Sequence, residues 1–230
     1  MPKLQSRARP TSTAQEDYLK ALHRLSGGDR RLVVTTSQLA EELGVNPGSV
    51  SEMLGKLATL RLITHDPYRG ARLTPAGLAI AVEMIRHHRL IETYLVQALG
   101  YRWDEVHEEA DRLEHSISEL LEERMWQALG QPEFDPHGDP IPTPDGKVTE
   151  RSTQPLHLAA RGGDVRISRI SDRDPAKLRA IEGLGLLPGI EVHVVEESVW
   201  EGPIEVEVNG ARIAVPLGLA RAIHVEAGDE

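Results

Sequence analysis

The chain has 230 residues, 40% of them apolar and 27% charged, and carries no cysteine. That length suffices for two or three small cores, the composition argues against wholesale disorder, and the missing cysteines exclude disulfides, thiolate zinc knuckles and thiol catalysis. There is no apolar run of the roughly eighteen residues a membrane span needs, and MPKLQSRARPTSTAQEDY lacks the apolar stretch of a secretory signal, so a cytoplasmic location is expected.

Charge is unevenly spread. Residues 1–80 hold 11 Lys and Arg against 7 Asp and Glu, residues 81–150 hold 6 against 16, and residues 151–230 hold 9 against 13, which together give the net −10. A basic front on an acidic body suggests that the front meets a polyanion, although ordinary surface variation would give the same pattern.

Taken in order, Thr13 with Glu16 three residues on predicts a capping box opening a helix, with Tyr18, Leu19, Leu22 and Leu25 at helical spacing until Gly27-Gly28. Ser37 is expected to cap a second helix that ends at Gly44. Asn46 and Pro47 open a third, whose apolar positions are Val50, Met53, Leu54, Leu57 and Leu60. Two short apolar runs around Asp66-Pro67-Tyr68-Arg69-Gly70 predict a hairpin, and Thr74-Pro75 start another helix. Two helices joined by a tight turn and followed by a hairpin make a winged helix-turn-helix, with the helix near 47–60 placed for the major groove. The candidate DNA contacts are Thr36, Ser37, Asn46, Pro47, Gly48, Ser49, Ser51, Glu52, Lys56, Arg69 and Arg72, with Arg61 a further phosphate contact. A three-helix packing unit without a ligand is the competing reading.

Two long helices are predicted next, from Pro75 to Leu99 and from near Asp104 to Leu129. Their apolar stripes (Ile80, Met84, Ile91, Leu95; Leu113, Ile117, Leu120, Leu121) suggest a dimer seam. Residues 130–160, with six prolines, read as an extended linker. Residues 161–226 read as a small antiparallel barrel with a short helical insert from Leu178 to Leu186. Its runs are IEVHVVEE, PIEVEV and ARIAVP, and Asn209-Gly210 is a hairpin turn. The expected organisation is mostly α with a C-terminal β domain: residues 1–74 the winged helix, 75–150 the helical metal-binding and dimerisation domain, and 151–230 an SH3-like barrel.

Within VHEEADRLEHSIS, His107, Asp111, Glu114 and His115 fall at i, i+4, i+7 and i+8 of the second long helix, and His88 and Glu92 are four apart on the first. Asp17 is a possible seventh group. Carboxylates with imidazoles and no thiolate suit Mn²⁺, Fe²⁺, Co²⁺ or Zn²⁺. Solvated neighbours in an acidic stretch would show the same spacing. Ser116, Glu108 and Glu109 are assigned to the solvent side and His87 to the surface, while His137, His157, His193 and His224 are read as non-ligands. GLGLLPG reads as a turn rather than a phosphate loop, and no nucleophile-elbow motif supports a catalytic triad.

AQEDYLKAL, SQLAEELGVNPGSVSEMLGKL, YRGARLTPAG, HHRLIE, VHEEADRLEH and GDPIP together resemble the diphtheria toxin repressor family of metal-dependent transcriptional regulators over essentially the full chain. The resemblance implies a homodimer that binds palindromic operator DNA when loaded with Mn²⁺ or Fe²⁺. It also implies one metal site at Asp17, Asp111, Glu114 and His115, and a second at His88, Glu92 and His107 with Asp174 from the SH3-like domain. Iron-sensing members carry Met and Cys where this chain has Asp17 and Asp111, so the hard oxygens here favour Mn²⁺ over Fe²⁺. Lys20 stands where the manganese branch has a glutamate, and Lys177 stands near an amide ligand of longer members. The expected function is therefore a non-enzymatic regulator, most simply a repressor of metal-homeostasis genes. The rivals are a metalloenzyme using the His/carboxylate cluster and a regulator whose SH3-like domain senses a small molecule or peptide.

Overall fold

The computed structural model describes residues 11–149, 151–195 and 202–227. They gather into two units. The first comprises Met1–His88, Leu113–Arg124 and Pro142–Lys147, and the second Arg89–Arg112, Met125–Ile141 and Val148–Glu230.

In the first unit α1 (Thr13–Leu25) is capped one residue earlier than the sequence predicts. Ser12 is the extended cap residue, and its N–H donates to the Gln15 side chain at 2.9 Å. A glutamine amide serves the capping box as well as a carboxylate does, and Glu16 is released for another use. Likewise Thr35, not Ser37, caps α2 (Thr36–Leu43), its hydroxyl accepting from Gln38 N–H; Gly44, at φ 64°, closes that helix in the left-handed conformation. Asn46 caps α3 (Pro47–Thr59), its Oδ1 accepting from Ser49 N–H at 2.9 Å, with Pro47 in the first turn as expected.

The hairpin is β1 (Ile63–Asp66) against β2 (Gly70–Leu73), in register from Ile63 opposite Leu73 to Asp66 opposite Gly70. Val34 adds a bridge to Ala71 with two backbone hydrogen bonds of 2.9 Å. This close approach explains Gly70: at φ 120°, a Cβ there would lie 2.2 Å from the Val34 carbonyl oxygen. Tyr18, Leu19, Leu22, Leu39, Val50, Leu54, Leu57, Ile63 and Leu73 form the core of the unit. Helix α3 therefore buries one stripe and leaves the opposite one exposed.

Helix α4 (Pro75–Leu99) has the predicted bounds and stops at Gly100, φ 72°. The second long helix is instead two, α5 (Val106–Leu113) and α6 (Glu119–Ala128). The Ser116-Ile117-Ser118 stretch breaks it: Ser118 Oγ accepts from Leu121 N–H at 3.2 Å and starts a new helix. The apolar spacing continues across the break, so periodicity alone could not locate it.

In the second unit residues 133–141 of the proline-rich segment form a closed turn rather than part of an extended linker. Asp135 N–H donates to the Asp139 carbonyl and Ile141 N–H to that of Glu133, while Asp135 Oδ1 accepts from the N–H groups of His137 and Asp139 at 2.8 and 3.0 Å. Prolines remove backbone donors, and here a buried aspartate organises those that remain. A Cβ on Gly138 would meet the Ser168 carbonyl at 2.1 Å, so this turn needs a residue without a side chain.

The C-terminal sheet is antiparallel, in the order β3 (Gln154–Pro155), β8 (Ile223–Ala227), β4 (Asp164–Ile170), β5 (Glu191–Val194), β6 (Ile204–Val208), β7 (Ala211–Val215). Its core includes Ile167, Ile170, Leu178, Ile181, Val192, Val206, Val215 and Val225. Asn209 and Gly210, at φ 50° and 78°, form the expected β6–β7 turn. The helical insert is α7 (Pro175–Gly183). Glu196 and Glu197, at the end of the predicted IEVHVVEE strand, lie outside the described residues.

Candidate metal centre and nucleic-acid interface

The first unit brings Asp17 on α1 together with Glu114 and His115 in the turn after α5. His115 Nε2 lies 3.0 Å from Asp17 Oδ1 and 3.4 Å from Glu114 Oε1. Adjacent ligand atoms around a divalent ion with bonds of about 2.1 Å are themselves about 3 Å apart, so this spacing fits one ion.

The orientation of the imidazole supports the fit. His115 Nδ1 lies 2.7 Å from Glu16 Oε2, and Glu16 is almost completely buried. With Nδ1–H donating to Glu16, Nε2 presents its lone pair to Asp17 and Glu114, the carboxylate–histidine arrangement that orients metal ligands. Sequence reading gave Glu16 to the helix cap and missed this role. The available signal was Gln15, an equally good cap partner one position earlier.

Charge around the site is unequal. Burial raises the Asp17 pKa, with Glu114 adding to the rise and His115 and Lys20 opposing it. At Glu114 burial works the same way but is outweighed by His88 and Lys20, and the pKa is lowered. Lys20 Nζ donates to both Glu114 oxygens at 2.8 and 2.7 Å. His88 Nδ1 lies 2.7 Å from Glu114 Oε2 and 3.3 Å from Lys20 Nζ. His87, expected at the surface, is fully buried, with Nε2 at 2.9 Å from Glu122 Oε2 and Nδ1 at 3.1 Å from the Glu114 carbonyl.

The second unit holds another group. His107 Nδ1 is 3.3 Å from Glu92 Oε1 and 3.1 Å from Asp172 Oδ2, and its Nε2 is 3.7 Å from Asp111 Oδ2. Burial would raise the Asp172 pKa, but the His107 contact prevails and holds it down to about 2. Two carboxylates at His107 Nδ1 again suit a hard divalent ion, whereas Asp111, expected with Asp17, Glu114 and His115, faces the other ring nitrogen of His107. Asp174 is occupied differently from the expectation: it caps α7, Oδ1 accepting from the N–H groups of Ala176 and Lys177, and Asp172 is the carboxylate beside His107. Two residues of sequence separate a capping role from one next to the imidazole. His137, read as a linker histidine, is buried with Nε2 2.8 Å from the Trp103 carbonyl and Nδ1 3.6 Å from Glu92 Oε2.

On the DNA-binding candidate, Asn46, Pro47, Gly48, Ser49, Ser51, Glu52 and Lys56 are exposed along one side of α3 and its start, as are Ser37, Arg61, Arg69 and Arg72, with Thr36 half-buried. Lys56 Nζ lies 2.7 Å from Glu52 Oε1, which lowers the Glu52 pKa. Tyr68, at the wing tip beside Arg69, is 98% exposed and was not among the expected contacts.

Three family models match the chain in succession: the iron dependent repressor N-terminal DNA binding domain over residues 10–71, the iron dependent repressor metal binding and dimerisation domain over 74–143, and the FeoA domain over 154–227. The diphtheria toxin repressor of Corynebacterium glutamicum is 28% identical, covering 92% of this chain and 95% of its own. Solved structures are similar as well. A manganese-dependent transcriptional repressor in complex with manganese has 38% identity, coverage of 93% of this chain and 99% of that one, and a TM-score of 0.84. ScaR with bound Zn²⁺ has 34% identity, coverage of 93% and 99%, and a TM-score of 0.76. None of the named relatives is an enzyme, and among the described residues no helix is long and apolar enough to cross a membrane. The chain, with its DNA-binding, metal-binding and dimerisation domains, belongs to the diphtheria toxin repressor family of metal-dependent transcriptional regulators.

Proposed function

We propose that this protein is a cytoplasmic repressor that acts as a homodimer on palindromic operator DNA and is switched on by Mn²⁺, with Fe²⁺ as the alternative ion. The working domains are 1–74 for DNA, 75–150 for metal and dimerisation, and 151–230 for the SH3-like part. The observation that carries this reading is the 3.0 Å approach of Asp17, on a helix of the DNA-binding core, to His115, in the turn after α5.

A divalent ion bound there supplies positive charge against the clustered carboxylates. The chain does the rest. Asp17 ties α1 to the turn at 114–115, Glu16 holds the His115 ring, and the α1 core contacts carry that constraint to α2 and α3. Fixing the α3 pair of a dimer one DNA turn apart is what a palindrome requires. Exposed Leu120 and Leu121 on α6 support a partner surface. The oxygen-rich set at Asp17 and Glu114, without sulfur, favours Mn²⁺ or Fe²⁺ over softer ions. We assign a further ion to Glu92, His107 and Asp172 in the second unit.

Titration of the apo-protein with Mn²⁺ and with anaerobic Fe²⁺, following metal binding and binding to palindromic promoter DNA, tests the proposal. A tenfold or greater rise in DNA affinity, about 1.4 kcal/mol of coupling, is expected, and Asp17→Ala should abolish it while the dimer persists. Metal binding with unchanged DNA affinity would refute the switch.

A further inference from the structure

Lys20 lies one turn beyond Asp17 on α1, and its ammonium is held far from its sequence neighbours. Nζ reaches both oxygens of Glu114, 94 residues away, at 2.8 and 2.7 Å, and stands 3.3 Å from His88 Nδ1, 68 residues away. The side chains of Lys20, Glu114 and His88 are only 11%, 1% and 6% exposed. A buried carboxylate needs a counter-charge, and a lysine ammonium is a compact point charge that can supply it.

His88 Nδ1 and Glu114 Oε2, hydrogen-bonded at 2.7 Å, are the donor types that hold a divalent ion once the ring nitrogen gives up its proton. Here the cationic place beside them is already filled by the chain itself. We propose that Lys20 is a tethered cation that takes the place of a second metal ion between His88 and Glu114, so that the first unit binds a single divalent ion, at Asp17, Glu114 and His115. Lys20 is thus a specificity-determining residue for metal number. It neutralises Glu114 permanently and leaves Asp17 as the carboxylate whose charge awaits the ion.

Two consequences follow. A second ion cannot enter without expelling the ammonium, because like charges at this separation repel strongly where water is excluded. And metal activation through this unit responds to one binding event rather than two, so its dependence on metal concentration is shallow.

The inference rests on the metal-binding reading above, and the test separates the two. The full chain is prepared in a His107→Ala, Asp172→Ala background, which removes the second unit's cluster, and Mn²⁺ alone is titrated by calorimetry and by electron paramagnetic resonance. With Lys20 present, one Mn²⁺ per chain and a magnetically isolated signal are expected. Lys20→Glu, which exchanges the cation for a ligand, should bind two and give a spin-coupled pair. Lys20→Met, which removes the charge without adding a ligand, should keep one ion and bind it about tenfold more tightly. Two ions or a coupled spectrum with Lys20 in place overturns the inference even if neither variant folds, and so does a folded Lys20→Glu that still binds one. No Mn²⁺ bound in that background overturns the metal-binding reading itself, and this inference with it.

Discussion

Glu16 and His115 are 99 residues apart in the chain and 2.7 Å apart in the structure. Thr11 Oγ1 also donates to Glu16, at 2.8 Å, so the carboxylate is held from both sides. The imidazole therefore has one nitrogen committed to orientation and one turned toward Asp17 and Glu114. Removing the orienting partner of a metal-bound histidine typically lowers affinity by about 10–100-fold. Glu16→Ala should weaken Mn²⁺ binding within that range, measured by calorimetry. An unchanged affinity would mean that Glu16 only fills space.

Lys56 and Arg69 are exposed on α3 and the wing, each close to a carboxylate of its own element, Glu52 and Asp66. Replacing either by alanine should weaken binding to operator and random duplex alike. It should also reduce the slope of log affinity against log salt by about 0.9 for each lost phosphate contact. Fluorescence anisotropy at several salt concentrations reads both. Asn46→Ala acts differently, since it also removes the α3 cap, at a cost of about 1 kcal/mol in stability.

Asp172 and Asp174 are two residues apart but have different tasks. Asp174→Ala should cost about 1 kcal/mol as a lost helix cap and leave Mn²⁺ binding intact. Asp172→Ala should reduce Mn²⁺ binding in the second unit, because it removes the carboxylate 3.1 Å from His107. Denaturant melts and calorimetry on the two variants tell them apart. The reverse pattern would return the ligand role to Asp174.

His224, on β8, is held neutral. Burial and the Arg169 guanidinium, whose Nη2 is 3.3 Å from both ring nitrogens, push its pKa from 6.5 down to about 4. Between those values the unfolded chain takes up a proton that the folded one refuses. Stability contributed by the neutral ring is thus complete above pH 6.5 and declines as the pH falls toward 4. His224→Gln should flatten this loss, seen as a smaller drop in urea midpoint between about pH 7 and pH 5. An equal drop in both proteins would place the acid sensitivity elsewhere.

What the sequence determined by itself was local. The bounds of α4, the Asn46 cap of α3, the wing hairpin and the Asn209-Gly210 turn all follow from residues within a few positions of one another. Backbone preference and apolar period act over that range. The candidate ligand types were legible too, since carboxylates and imidazoles at helical spacing advertise their chemistry. Tertiary structure decided which of them meet. The break between α5 and α6 was hidden because the apolar spacing runs through it. Glu16 left the cap for His115, Lys20 turned inward to Glu114, Asp172 rather than Asp174 faced His107, and the proline-rich stretch closed around Asp135. Except in that last turn and at the α5–α6 break, where Ser118 acts locally, each outcome depends on groups tens of residues apart competing for the same buried charge. No local pattern encodes that competition, and it is settled only when folding removes water from between them.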